Sequence, residues 1–370
     1  MIYFDNAAST PMIDCAKEAL LAQLDLWGNP SSLHRLGFEA EKYLKRAREQ
    51  IAATLHASPE EITFTSGGTE SDNLALFGIA HALRRRGNTI LATDSEHPAV
   101  EEVLKSLESE GFTVHRLSTR HGALNLAEVE KRATPDTILC AMMHTNNETG
   151  AVYDIAGASR IVKQKNPEAI FFCDAVQGYL KEEICPARLG VDLMALSSHK
   201  IHGPKGVGAL YIRRGVRLIP RTLGGGQERG LRSGTENLAG IVSFAAAATY
   251  GFAHLAENRA RMQEIKQIIQ NGVSSLPDLF VTTPQNPSCH ILSLGVLRYP
   301  SEVLLHMLSE RDVFVSSGSA CSSHKGKSPV LTNFGLTQKQ RDCTIRLSFS
   351  GQNTTEEARR FVNVLKEILS

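Results

Sequence analysis

A lysine, an aspartate and a cysteine, far apart in the chain, set the chemical question. Lys200 stands in Ser197-Ser198-His199-Lys200-Ile201-His202-Gly203-Pro204-Lys205-Gly206, directly after the apolar run Leu193–Leu196. Asp174 ends a second apolar run that starts at Ile170. In open α/β sheets ligands gather at the carboxyl ends of strands, where both runs deliver these side chains. A third stretch, Thr65-Ser66-Gly67-Gly68-Thr69-Glu70-Ser71, follows the short apolar run Ile62-Thr63-Phe64 and precedes a helical pattern. Its glycines let the backbone come close, its hydroxyls donate, and a helix start offers free N–H groups: a cradle for phosphate. The same stretch also reads as an ordinary helix start capped by Thr69 or Ser66. A lysine for a Schiff base, a carboxylate facing a pyridinium nitrogen and a phosphate cradle are jointly what pyridoxal phosphate needs.

The cysteine lies in Val315-Ser316-Ser317-Gly318-Ser319-Ala320-Cys321-Ser322-Ser323-His324-Lys325-Gly326-Lys327-Ser328-Pro329. A structural cysteine keeps apolar company. Cys321 instead sits among serines and glycines, where the apolar run Val313–Val315 has ended. It reads as an exposed thiol on a loop, and the nearby His324, Lys325 and Lys327 favour the reactive thiolate. A plain solvent loop that happens to hold a cysteine fits the same letters.

Other motifs exclude more than they assign. The run Gly224–Thr235 lacks the Lys-Ser/Thr ending of a P-loop, and no Gly-x-Gly-x-x-Gly follows a strand, so nucleotide readings have little support. As a spacer it is odd, because it holds Glu228, Arg229 and Arg232. His199-x-x-His202 has no further ligand group at suitable spacing, so no metal is expected. The net charge of +1 over 370 residues gives no field suited to nucleic acid or acidic lipid. No uncharged apolar run of ~18 residues is present, so no membrane span is expected. The start MIYFDNAAST lacks the layout of a signal peptide. The seven cysteines are scattered with no Cys-x-x-Cys pair, Cys140 and Cys173 fall in apolar runs, and a reduced, cytoplasmic protein is expected.

These side chains need a scaffold. Runs at Thr89–Ala92, Ile138–Met142, Ile170–Cys173, Leu193–Leu196 and Gly208–Ile212 predict buried strands. Helical patterns over Glu39–Leu55, Asn73–Leu83, Val100–Glu110 and Ile155–Lys165 alternate with them, so an α/β domain with a mostly parallel sheet is expected. The last two strands are too close for a crossover and predict an antiparallel pairing. Asn237–Ser275 predicts one long helix bridging to a second, α+β unit. That unit has strands near Ile291–Leu294, Val313–Val315 and Ile345–Ser348, and helices near Glu302–Glu310 and Glu356–Leu369.

Set together, these stretches resemble the NifS/IscS-type cysteine desulfurases, class V members of the fold-type I pyridoxal-phosphate enzymes. The likeness also runs through Tyr3–Pro11, Ser95-Glu96-His97-Pro98-Ala99-Val100, His144–Gly150, Asp174-Ala175-Val176-Gln177 and Arg232-Ser233-Gly234-Thr235, in the family's order. The resemblance implies a fold-type I transferase: a large α/β domain over 15–255 with a mostly parallel seven-stranded sheet. A smaller α+β domain, formed by 1–14 and 256–370, would carry the cysteine loop. It implies that Lys200 carries the cofactor and that His97 stacks on its ring and moves protons. Asp174 would pair with the ring nitrogen, and Gln177 and Asn147 would contact the phenolic-oxygen side. Gly68, Thr69, Ser197 and His199 would hold the phosphate, with Thr235 reaching over from the other subunit of a homodimer. Arg346, with Asn147, would bind the substrate, and Cys321 would take the sulfur of L-cysteine for a protein acceptor. Selenocysteine lyase, or another class V activity, is the alternative on the same scaffold. The chain stops sooner after Glu356–Leu369 than the longer relatives, which leaves open how an iron–sulfur scaffold protein would dock.

Overall fold

A computed structural model describes residues 1–317 and 328–370. The chain opens with β1 (Ile2–Tyr3), α1 (Asp14–Leu24), α2 (Arg35–Thr54), β2 (Ile62–Thr65) and α3 (Gly68–Leu83). Then come β3 (Thr89–Thr93), α4 (Pro98–Ser109), β4 (Thr113–Leu117), α5 (Leu126–Arg132), β5 (Thr137–Met143) and α6 (Ile155–Lys165). They are followed by β6 (Ile170–Asp174), α7 (Pro186–Leu189), β7 (Leu193–Ser197), β8 (Gly208–Ile212), α8 (Leu238–Ala253) and α9 (Leu255–Val273). The last stretch holds β9 (Leu279–Thr282), β10 (Ile291–Val296), α10 (Ser301–Ser309), β11 (Val313–Phe314) and β12 (Ser316–Ser317). It closes with α11 (Pro329–Phe334), α12 (Gln338–Cys343), β13 (Thr344–Ser348) and α13 (Thr355–Leu369).

The described residues form a seven-stranded sheet in the order β2-β8-β7-β6-β5-β3-β4. β7, β6, β5, β3 and β4 pair in parallel, while β8 is antiparallel to both its neighbours. The expected antiparallel pairing is therefore present twice. β6 and β7 are buried along their whole length, because helices cover both faces. Alternate residues supply two cores. Leu91, Cys140, Met142, Phe171 and Met194 point to one face, and Ile90, Leu139, Ala141, Phe172 and Leu193 to the other. Cys140 and Cys173 are fully buried, as their apolar company suggests.

A separate core joins Ile2 and Phe4 to Ile265, Leu294, Ile345, Leu347 and Phe361 around a four-stranded antiparallel sheet, β12-β13-β10-β9. β1 pairs with β11, so the first residues of the chain belong to this second core.

Three expectations differ from what forms. The helix expected over Asn237–Ser275 breaks at His254 into α8 and α9, which meet at 73°. Gly251, in the last turn of α8, precedes the break, where the His254 ring lies stacked on Tyr250. The run Val313–Val315 divides, with β11 joining β1 and β12 joining β13. Finally, β4 was not anticipated, since as an edge strand it is only partly buried and its letters, Thr113-Val114-His115-Arg116-Leu117, show no apolar run. Among the described residues no single helix is long and apolar enough to cross a membrane.

Candidate active site

The topology brings the expected residues to one edge of the large sheet. Asp174 is the last residue of β6, and Lys200 follows β7 on a single tight turn, Ser198–Lys200. Asn147 lies beyond β5, and His97 beyond β3, where it caps α4. β2 runs the same way as β7, because both are antiparallel to β8, so Gly68 and Thr69 emerge at this edge too.

The phosphate cradle survives its plainer alternative. α3 starts at Gly68, and its cap is Gly67, which offers no side chain; neither Ser66 nor Thr69 caps it. The amides of the first turn are thus left for another acceptor. Gly67 has φ +153°, a backbone an L-residue resists, and a Cβ on Gly68 would lie 2.8 Å from Val176 Cγ2. Buried Ser197 flanks the same spot, its Cβ 3.8 Å from that position. Thr69 is exposed and shares an open cavity with His97.

Lys200 Nζ donates to the carbonyl oxygens of Ala7 and Ala8 at 2.6 and 2.8 Å. Gln177 Nε2 donates to the same Ala7 oxygen at 2.9 Å, while its buried Oε1 has no partner among the described residues. His97 Nδ1 accepts from the Ala99 amide at 3.1 Å, which puts the proton of the neutral ring on Nε2. Asp174 Oδ1 accepts from the Val176 amide at 2.9 Å. Burial holds the Asp174 carboxyl above the ordinary carboxylate range, with His97 and Lys200 pulling it back down. Burial pushes His97 down; Asp174 opposes this and Lys200 adds to it. His199, bonded to Ser9 Oγ at 3.3 Å, is pushed down to about 4, first by burial and then by neighbouring lysines. Its ring is therefore neutral and offers a hydrogen bond rather than a charge.

Arg346 arrives from the other sheet, on β13, and is 6% exposed. It donates through Nη1 to the Asn147 carbonyl at 3.0 Å and through Nη2 to Asp5 Oδ1 at 2.9 Å, while its buried Nε has no partner among the described residues. A buried guanidinium with an open N–H and a carboxylate already on one edge suits a second carboxylate. Thr235 is exposed on the Gly-rich loop, and no hydrogen bond among the described residues ties it to the group above. That loop is no spacer. Glu228 pairs with Arg48 at 2.7 Å and accepts from the Phe64 amide, and Arg232 pairs with Glu70 in the first turn of α3 at 2.9 Å. Cys321, with His324, Lys325 and Lys327, lies outside the described residues.

Several site residues were missed in the sequence. Ala7 and Ala8 act through carbonyls, which every residue has, and Asp5 gave no sign of pairing with a residue 341 positions away. Two buried carboxyls stand behind Asp174. Asp72 is 2% exposed with Oδ1 unpartnered, and burial, Asp174 and Glu96 push it well above the carboxylate range. Glu96 is pushed up to about 8 by burial, although Thr93 Oγ1 and the Met143 amide donate to it. Glu96 therefore keeps its proton at neutral pH, burial favours the neutral form of Asp72, and of the three only Asp174 has cationic neighbours, His97 and Lys200, that favour its anion. The two histidines of His199-x-x-His202 spend their Nδ1 atoms on Ser9 and on the Pro11 carbonyl.

The uncapped, glycine-lined helix start, the buried carboxylate between histidine and lysine and the open Gln177 oxygen match the phosphate, the ring nitrogen and the ring oxygen of pyridoxal phosphate.

Comparison with known proteins agrees with this fit. The model of the aminotransferase class-V family matches residues 2–361. A NifS/IcsS protein homolog of Lactobacillus delbrueckii subsp. bulgaricus is 39% identical over 100% of this chain and 97% of its own. The cysteine desulfurase IscS of Shewanella sediminis is 39% identical over 96% of this chain and 89% of its own. Among solved structures, a NifS-like protein superposes with a TM-score of 0.94 at 37% identity, covering 100% of this chain and 99% of that one. SspA in complex with cysteine gives 0.84 at 33% identity, covering 94% and 99%. The chain belongs to the class-V aminotransferase family, among its pyridoxal-phosphate-dependent NifS/IscS-type cysteine desulfurases.

Proposed function

We propose that this protein is a cysteine desulfurase that takes sulfur from L-cysteine, releases L-alanine and holds the sulfur as a persulfide on Cys321. The convergence of Lys200, Asp174 and His97 at neighbouring strand ends carries the reading. When bound, pyridoxal phosphate supplies a protonated ring that withdraws electrons from the substrate Cα.

Lys200 anchors the cofactor and, once released from it, its amine takes the Cα proton. Asp174 stays anionic beside the ring nitrogen and keeps that nitrogen protonated. His97 covers the ring and can give a proton from Nε2. The amides at Gly68 and Thr69, with Ser197 and His199, hold the phosphate, and Thr235 completes that site from the second copy of a homodimer. Gln177 and Asn147 stand on the ring-oxygen side, and Arg346 takes the substrate carboxylate.

The Cys321 thiolate attacks the substrate sulfur. An S–S bond forms, the Cβ–S bond breaks, and its electron pair stays on carbon, which gains a proton and leaves as alanine. No outside oxidant is needed, and a protein acceptor in the cytoplasm collects the sulfur.

The test is a single-turnover mix with L-cysteine, following alanine and persulfide together, with L-selenocysteine in parallel. Cys321→Ala keeps the visible cofactor band and loses sulfur release by at least about a hundredfold. If it makes alanine and sulfide at the wild-type rate, a lyase of the selenocysteine type is the better account.

A further inference from the structure

A cavity of about 30 Å³ behind Lys200 is lined by Lys200, Lys181, His202, Tyr250 and Asn258 among others. Lys181 is 5% exposed, and its Nζ has no hydrogen-bond partner among the described residues. A buried, unpartnered amine is rare enough to need an explanation. The backbone that presents it is held firmly. Leu180 sits at φ +56°, a costly conformation for leucine, between Tyr179 and Glu182, which form a bridge. Tyr179 is itself fixed by a hydrogen bond with Thr54 Oγ1 at 2.5 Å.

The surroundings of Lys181 are basic. From the turn after β7 come Lys200, His199 and His202. From the segment before β10 come Cys289, whose thiol donates to the Lys181 carbonyl at 3.5 Å, and His290, both of whose ring nitrogens are buried and unpartnered. α9 adds Lys266, bonded to the Ser288 carbonyl at 2.6 Å, and Arg259, which pairs with Glu182 at 2.9 Å. Burial, then Lys200, bring Lys181 down to about 7. The two lysines are unequal partners: Lys200 has two carbonyl acceptors for a charged amine, and Lys181 has none.

We propose that Lys181 and Lys200 hold one proton between them, and that Lys181 receives this proton whenever Lys200 must act as a free amine. Resting on Lys200 as the cofactor lysine, the idea has a defined chemical consequence. To attach an aldehyde cofactor, the Lys200 ammonium must first lose a proton, which passes to Lys181. The amine nitrogen then bonds to the aldehyde carbon, and its two hydrogens leave with the carbonyl oxygen as water. The neutral Lys181 amine lines the same cavity and can accept the proton from Lys200, and like charges in one site cannot both persist.

The full-length protein is stripped of cofactor and reloaded with pyridoxal phosphate between pH 6 and 10, following the visible band by stopped flow. In the wild type the loading rate rises through a midpoint near pH 7. In Lys181→Met the midpoint moves up by about one unit or more, making loading about tenfold slower at pH 7, and the two proteins converge near pH 10. Lys181→Gln, run beside it, gives the same shift and guards against a packing effect of methionine. A midpoint that does not move, or a slowing by one constant factor at every pH, overturns the shared proton and leaves Lys181 a structural residue. If Lys200→Ala still develops the band on loading, the assignment of Lys200 fails instead.

Discussion

Two groups of buried ionisable side chains flank Lys200, and they are built on opposite plans. On one side Asp72, Glu96 and Asp174 crowd together under the sheet edge, supplied with donors from Thr93, Met143 and Val176 and faced by His97 and Lys200. On the other, Lys181, Lys266 and His290 gather with few acceptors and no unshared acid. Both groups lose charge by desolvation, the acids by keeping protons and the bases by shedding them. Lys200 acts on both: it pulls the proton affinity of Asp174 down, and that of Lys181 down as well. The acidic side gives cationic neighbours to Asp174 alone, and the basic side leaves a vacancy for one proton at Lys181.

Removing the shared member has the largest effect. Lys200→Ala abolishes turnover and the visible band. A band that survives and is fixed by borohydride would mean that another amine carries the cofactor, Lys181 or Lys205 first. Asp174→Asn comes next: it keeps the shape of the acidic side but not its anion, and kcat falls on the order of 10²–10³-fold with little change in fold. Near-wild-type turnover in that variant would mean that Glu96 or Asp72 supplies the charge.

The two plans also predict opposite pH slopes of stability. Glu96 keeps its proton when folded up to about 8 but loses it near 4.5 when unfolded, so it costs stability increasingly as pH rises through that window. Glu96→Gln therefore gains on the wild type in urea unfolding from pH 5 to pH 8. Lys181 loses its proton near 7 when folded and near 10.5 when unfolded, so its cost is full below 7 and fades as pH rises. The advantage of Lys181→Met is largest at pH 6 and shrinks towards pH 10. Parallel slopes for the two variants would erase the contrast. The smallest effect belongs to an exposed control, Lys17→Ala, which breaks the surface pair with Asp14 and shifts stability by no more than about 0.5 kcal/mol at any pH.

Sequence carried the acidic half of this picture further than the basic half. Asp174 and Lys200 announce themselves because one ends and the other closely follows an apolar run in an alternating α/β pattern, and position at a strand end is a one-dimensional property. The Gly67-Gly68 start of α3 is legible for the same reason, as only glycine meets its backbone demands. Lys181 has no such mark. It lies in Leu180-Lys181-Glu182-Glu183, which reads as a solvated turn, and only the folded chain buries it. The Ala7 and Ala8 carbonyls and the Asp5–Arg346 pair are long-range, and the break of α8 from α9 at His254 has only Gly251, one turn earlier, to signal it. What escaped was what tertiary packing alone creates.

The first residues of the chain have a consequence for biosynthesis. Ile2 and Phe4 lie in a core built with Ile345, Leu347 and Phe361, the Ala7 amide donates to Ser348 Oγ at 2.8 Å, and the carbonyls that seat Lys200 belong to the same segment. A ribosome makes this segment more than 300 residues before its partners. A nascent chain that has already displayed Lys200, Asp174 and His97 therefore has an unseated lysine, and an aldehyde cofactor met at that stage finds an amine with no set direction. The seat for that lysine is complete only once β13 and α13 have closed over β1 and the residues that follow it.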